Sequence, residues 1–319
     1  KLGKITANGG DYDGGKRWFE QADEVLGGQP DENVTEWRRA WLKVQMDRAW
    51  MHYDWGNLEG MRSTLEAIRP VVESVSEPDL DKLAEYYFLW PTLSFRRDGY
   101  QATDEIMRYS RLALEISQKA GNLELSARTH FGYGFCNLLL GNFDTAIQFL
   151  GEGLRLAEQI GYVDQQILCL TYLAAAYRGI ENLEACAQYA GRAAALSERQ
   201  EAHSYVATAR ANLGWVAWKQ NDLHQAKALC LQALTGWGSH YPFRWYGLWT
   251  LIAISLAALK FDEALEYARG LKSPGQQIFA KEGNELLTNV IEAADTGDKT
   301  KSQSLLMKAV DWAKENHFL

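Results

Sequence analysis

The sequence predicts an all-α protein, a solenoid of about eight stacked helical hairpins. The first observation is a short pattern of turn, apolar residue and small residue, which recurs at intervals of 38 to 46 residues along the 319-residue chain. The second is a composition that suits packed helices, with 47% hydrophobic residues and only six prolines. Because each hairpin of such an array packs mainly on its neighbours, the whole length fits a single domain, residues 1–319.

The clearest copy of the pattern runs from Ala207 to Ala233. Asn221 and Asp222 interrupt its helical periodicity with residues that favour turns. Small or apolar residues recur before and after this turn, at Leu213, Gly214 and Ala217 and then at Ala226, Cys230 and Ala233. Since the second set has little side-chain bulk, we expect another helix to approach it closely.

Two positions of the pattern define the repeats. The apolar residue after each turn, where we expect the second helix to begin, is Tyr12, Leu58, Tyr100, Phe143, Leu183, Leu223 and Phe261, with a weaker copy at Lys299. The close-contact residue lies three positions later, at Gly15, Met61, Thr103, Ala146, Cys186, Ala226, Ala264 and Ser302. These positions predict eight hairpins.

The Leu-Gly pair, turn and spaced small residues resemble the tetratricopeptide repeat (TPR), whose standard unit has about 34 residues. The stretches 154–196 and 210–234 are similar to the C-terminal sensor arrays of bacterial signal-transduction ATPases, which include MalT-like activators and adenylate-cyclase proteins with an ATPase core. This resemblance implies a right-handed superhelix. It also implies a ligand sensor that binds an inducer or a partner protein in signal transduction.

The ends of the array predict its limits. Leu2 and Gly3 match the middle of a first helix, so we expect residues 1–28 to be a truncated first repeat and the chain to be a fragment of a larger protein. Residues 285–319 are more polar at their turn, as expected of a C-terminal capping repeat.

Composition and motifs exclude several functions. A net charge of −8 disfavours direct nucleic-acid binding. No apolar window is long enough for a membrane span, and the four scattered cysteines fit reduced thiols. We therefore expect a cytoplasmic protein without a signal peptide. The six histidines are isolated, with no metal-ligand spacing and no catalytic motif. We therefore expect no enzyme activity, no catalytic residues, no metal and no cofactor.

The candidate site is the concave face that the first helices line in TPR proteins. The family's inner positions, carried over to this sequence, give Trp50, Tyr53, Phe88, Arg128, Phe131, Phe135, Arg178, Trp215, Trp218, Tyr246 and Trp249; Lys43, Met46, Glu85 and Phe95 occupy further inner positions. Aromatic rings with arginines suit a sugar, a nucleotide base or an apolar peptide. Alternatively, these aromatics pack on one another as a core.

The sequence leads to one main hypothesis, a non-catalytic sensor or protein-interaction domain of a larger cytoplasmic signalling or transcription regulator. Its ligand would be a small-molecule inducer or a protein or peptide partner on the aromatic concave face. Two alternatives stay open: a pure protein scaffold without a small-molecule site, and a peptide-responsive TPR regulator.

Overall fold

The computed structural model describes residues 11–27, 35–73, 78–238 and 241–319. In these ranges the regular secondary structure is entirely helical, and no helix is long and apolar enough to cross a membrane. The helices are α1 (Tyr12–Leu26), α2 (Thr35–Asp54), α3 (Leu58–Glu73), α4 (Leu80–Arg97), α5 (Asp104–Ala120), α6 (Leu123–Leu139), α7 (Phe143–Gln159), α8 (Val163–Gly179), α9 (Leu183–Arg199), α10 (His203–Lys219), α11 (Leu223–Gly236), α12 (Trp245–Ala257), α13 (Phe261–Leu271), α14 (Lys281–Asp295) and α15 (Lys299–Glu315).

The predicted starts of the second helices are confirmed in seven of eight repeats. Helices α1, α3, α7, α9, α11, α13 and α15 begin at Tyr12, Leu58, Phe143, Leu183, Leu223, Phe261 and Lys299. The predicted close-contact residue is buried in each of them. Residues 1–10 and 28, which complete the predicted truncated repeat, lie outside the described residues.

The third repeat departs from the prediction. Its second helix begins at Asp104 rather than Tyr100, which has a left-handed φ of 59° in the preceding turn. Thr103 is exposed instead of filling a close-contact position, and its hydroxyl accepts a hydrogen bond from the Ile106 amide. Threonine is a strong helix N-cap, so the helix begins after Thr103 and not at Tyr100, where the repeat pattern predicts its start.

The turn between α10 and α11 is closed by hydrogen bonds between near neighbours. At Asn221, φ is 64°, and the next amide, that of Asp222, donates to the Ala217 carbonyl at 2.9 Å, which ends α10. The Asp222 side chain then accepts from the Gln225 amide and starts α11. Two polar residues therefore end one helix and begin the next.

The described chain forms two compact units. Among the described residues, unit 1 comprises 11–27, 35–73, 78–98 and 102–133, and unit 2 comprises 99–101, 134–238 and 241–319. A core cluster of unit 1 includes Trp41, Met46, Leu65, Tyr86 and Leu93. It joins α2, α3 and α4.

Small residues bring helices close together in unit 2. A Cβ added to Gly214 of α10 would lie only 2.7 Å from the Cys230 Sγ and 3.2 Å from the Ala226 carbonyl oxygen of α11. The expected close approach of another helix to Ala226 and Cys230 is confirmed.

Candidate functional site

Five predicted site residues lie in unit 1 on three successive first helices. Trp50 and Tyr53 lie on α2, Phe88 on α4, and Arg128 and Phe131 on α6, and all five are partly buried. The Trp50 ring meets Tyr53 edge-on, with centroids 5.7 Å apart, and lies 6.4 Å from Phe88. We call Trp50, Tyr53, Phe88 and Arg128 the aromatic–arginine face.

Arg128 is the charged centre of this face. The guanidinium carbon lies 4.9 Å from the centroid of Phe88 and 5.4 Å from that of Trp50, within the range of cation–π attraction. The Glu85 carboxylate is 3.9 Å away, beyond hydrogen-bonding distance, and accepts from Lys82 at 3.0 Å instead. Among the residues that the structure describes, no acceptor is hydrogen-bonded to Arg128. Its N–H groups therefore retain hydrogen-bonding capacity.

A second arginine borders the face and was missed by sequence reasoning. The Arg96 guanidinium lies 4.8 Å above the Tyr53 ring and donates to the Tyr53 carbonyl at 2.6 Å. Burial raises the pKa of Tyr53, so its hydroxyl stays protonated. Arg96 lies in the last turn of α4, next to the inner position Phe95 but outside the inner positions of the TPR pattern, so the pattern gave no signal for it.

The four further inner positions of unit 1 have other roles. Met46 and Phe95 are buried in the core. Lys43 pairs with Asp47 at 2.8 Å, one turn along the same helix.

The six predicted residues of unit 2 have different surroundings. Phe135, Arg178, Trp215, Tyr246 and Trp249 are buried, and Trp218 alone among the six is partly exposed. Helices α8, α10 and α12, which carry most of them, each pack against helices on more than one side. In this conformation their rings line the interior rather than an open face.

Arg178 is the unusual member of this buried group, with 2% of its surface exposed. Its guanidinium donates to the carbonyls of Tyr246 at 2.9 Å and Phe318 at 2.8 Å, and lies 5.2 Å from the Trp215 ring and 5.4 Å from the Trp245 ring. Burial lowers the pKa of Arg178 to about 10, so it remains charged at neutral pH. A cation is thus held by carbonyl groups and π faces.

Several buried polar atoms of unit 2 have no hydrogen-bond partner within the described part of the chain. They include the indole nitrogens of Trp215 and Trp249, the Asn212 amide group and the Arg178 Nε. Unpaired polar groups cost free energy in a protein interior. The interior of unit 2 therefore contains polar groups that its own packing leaves without hydrogen bonds.

The described residues contain no group of three or more histidine, cysteine or acidic side chains that could hold a metal ion. All four cysteines are buried free thiols. Burial raises the pKa of Cys169, Cys186 and Cys230 to about 12, which keeps these sulfurs protonated.

Comparison with known proteins agrees with this geometry. Residues 207–235 match the tetratricopeptide repeat family model. The fold is that of a TPR array. No curated protein matches the sequence significantly.

Three solved structures illustrate the similarity of the fold. A Rap protein complexed with Competence and Sporulation Factor has a TM-score of 0.68 and 13% identity, over 98% of this chain and 85% of that chain. NprR in complex with its cognate peptide NprX has a TM-score of 0.69 and 14% identity, over 95% and 85%. A signal-transduction ATPase with a TPR sensor, PH0952 from Pyrococcus horikoshii, has a TM-score of 0.55 and 18% identity, over 85% and 41%. The predicted similarity to sensor arrays is confirmed at the level of fold.

Proposed function

We propose that this chain is a non-catalytic recognition domain that binds a peptide or protein partner at the aromatic–arginine face of unit 1, as part of a larger cytoplasmic regulator. One observation carries the proposal: Arg128 lies over two aromatic rings with no hydrogen-bonded acceptor among the described residues, while all four members of the face are partly exposed. The buried rings of unit 2 offer no comparable open surface in this conformation.

The chemistry of the face favours a peptide. Arg128 donors can hold a backbone carbonyl or a carboxylate, and the flanking rings can pack an apolar side chain of the same ligand. The nearby Glu85 carboxylate disfavours a ligand with several negative charges, such as a nucleotide. The solved Rap and NprR complexes support this choice, because each contains the signalling factor or peptide named with it.

The alternatives differ in what they require of the face. A small-molecule inducer would bind the same rings and give a response to sugars or nucleotides. A pure scaffold would contact its partner through the second helices, α3 and α5, and would not need Arg128.

Binding can be measured by thermal shift and tryptophan fluorescence against oligosaccharides, nucleotides and short peptides. We expect peptides to bind. The Arg128→Ala variant should bind the same peptide about tenfold more weakly, because the loss of a cation-assisted contact costs about 1.4 kcal/mol. Arg155→Ala is the matched control, because Arg155 is an exposed arginine that bonds Glu152 on α7. Its affinity should stay unchanged.

Two results would contradict the proposal. One is a peptide whose affinity is the same for the wild type and a correctly folded Arg128→Ala variant. The other is binding that is confined to sugars or nucleotides, which would favour a small-molecule sensor.

A further inference from the structure

The four residues after α15 fold back onto unit 2. His317 has a left-handed φ of 63°, and the amides of Phe318 and Leu319 both donate to the Ala313 carbonyl, at 2.8 and 3.2 Å. This turn redirects the chain toward the interior of the unit. We call residues 316–319 the return segment.

Phe318 of the return segment fills an aromatic pocket. Its ring centroid lies 4.8 Å from Phe279, 4.9 Å from Trp245 and 5.4 Å from Trp312, edge-on to the first two and stacked on the third. Leu319 is 3% exposed. Three rings therefore hold the aromatic side chain of Phe318, and the aliphatic side chain that follows it is buried.

Arg178 fixes the backbone of the same segment. It donates to the Phe318 carbonyl across 140 positions of sequence, and its Nε has no partner among the described residues. A buried cation that has no carboxylate partner stabilises a fold poorly. Donation to a main-chain carbonyl between aromatic walls is, however, an effective way to hold a peptide.

The contacts of the return segment suit local release. Asn316 and His317 are exposed and Phe318 is partly buried, so Leu319 is the one buried residue of the segment, and the segment lies outside helix α15. His317 adds one edge-on contact with Phe143, at 5.1 Å. Undocking would break the two bonds to the Ala313 carbonyl at the end of α15 and would expose Arg178, Trp245 and Phe279, while the hydrogen bonds within the other helices stay in place.

We propose that Arg178, Trp245, Phe279 and Trp312 form a second peptide site, and that the return segment is its internal occupant, which an aromatic–aliphatic peptide displaces. The proposal does not rest on the function assigned to unit 1, because it uses other residues and another unit. It makes unit 2 self-occupied until a competing peptide arrives.

The direct test is fluorescence anisotropy with a labelled peptide, acetyl-Asn-His-Phe-Leu-amide, and the full 319-residue chain. The internal segment has a large effective concentration, so we expect weak binding to the wild type and about tenfold tighter binding to Phe318→Ala. Phe261→Ala is the control for nonspecific cavity formation, since Phe261 is another partly buried phenylalanine of unit 2. The Phe261→Ala variant should bind the labelled peptide no better than the wild type does. The peptide acetyl-Asn-His-Ala-Leu-amide should not bind to the wild type or to either variant.

Thiol labelling gives a second readout if Phe318→Ala does not fold. In a Leu319→Cys variant, the buried native cysteines provide slow internal references. We expect the new thiol to react about tenfold faster than these, and faster still when the Phe-containing peptide is added. Labelling as slow as that of the native cysteines, unaffected by the peptide, would overturn the proposal. So would equal peptide affinity for the wild type and folded Phe318→Ala.

Discussion

Replacing Gly214 by Ala tests the close helix contact on which the repeat depends. The added Cβ would lie 2.7 Å from the Cys230 Sγ and 3.2 Å from the Ala226 carbonyl, so α10 and α11 would have to separate. Such overpacking costs about 1–3 kcal/mol, and the better helix propensity of alanine offsets about 1 kcal/mol of this. The difference is a net destabilisation of up to about 2 kcal/mol.

A double-mutant cycle assigns this cost to the sulfur contact. Cys230→Ala removes the nearest atom, so the cost of Gly214→Ala should fall by about 1 kcal/mol in that background. Urea unfolding followed by circular dichroism measures both values. Gly191→Ala is the control, because a Cβ at Gly191 meets nothing within 4 Å and should stabilise α9. If Gly214→Ala behaves like Gly191→Ala, the close-contact reasoning is wrong.

Three further predictions concern single sites. Leu259 is 86% exposed and has a left-handed φ of 59°, a backbone conformation that is strained for leucine but not for glycine. Leu259→Gly should therefore raise the free energy of unfolding by about 1 kcal/mol in urea titrations. An unchanged or lower value would contradict backbone strain at this position. Burial and the nearby positive charges of Arg48 and Lys16 lower the pKa of His52, whose Nδ1 bonds the Tyr12 hydroxyl at 2.9 Å. In the unfolded state His52 has an ordinary pKa of about 6.5, so below that pH the unfolded state binds more protons than the folded state. The free energy of unfolding should therefore fall from pH 7 to about pH 5.5 more in the wild type than in His52→Gln. Equal losses in the two proteins would show that His52 does not cause the pH dependence. The native thiols should not react with a disulfide reagent at about pH 8 until urea unfolds the chain, and rapid reaction of folded protein would contradict their burial and the raised pKa values of Cys169, Cys186 and Cys230.

Local signals explain what the sequence predicted well. The turn residues Asn221 and Asp222 end one helix and cap the next with hydrogen bonds between near neighbours, so their effect is readable from a few residues. The prediction failed at Tyr100 because Thr103 caps α5 later and two successive left-handed residues, Gly99 and Tyr100, lengthen the turn.

Exposure and long-range contacts were not readable in this way. Trp50 and Trp215 occupy equivalent inner positions, yet only Trp50 keeps part of its surface open, because exposure depends on how many helices surround each one. The bond from Arg178 to Phe318 joins residues 140 positions apart, and no periodicity in the sequence points to it.

Hydrogen exchange with the bound peptide tests the central claim most directly, once a peptide has been identified by binding. The account predicts slower exchange in α2, α4 and α6, the helices that carry Trp50, Phe88 and Arg128. It predicts little change in α3 and α5, the second helices that follow α2 and α4. Protection confined to α3 and α5 would contradict recognition at the aromatic–arginine face and favour a scaffold that uses the second helices.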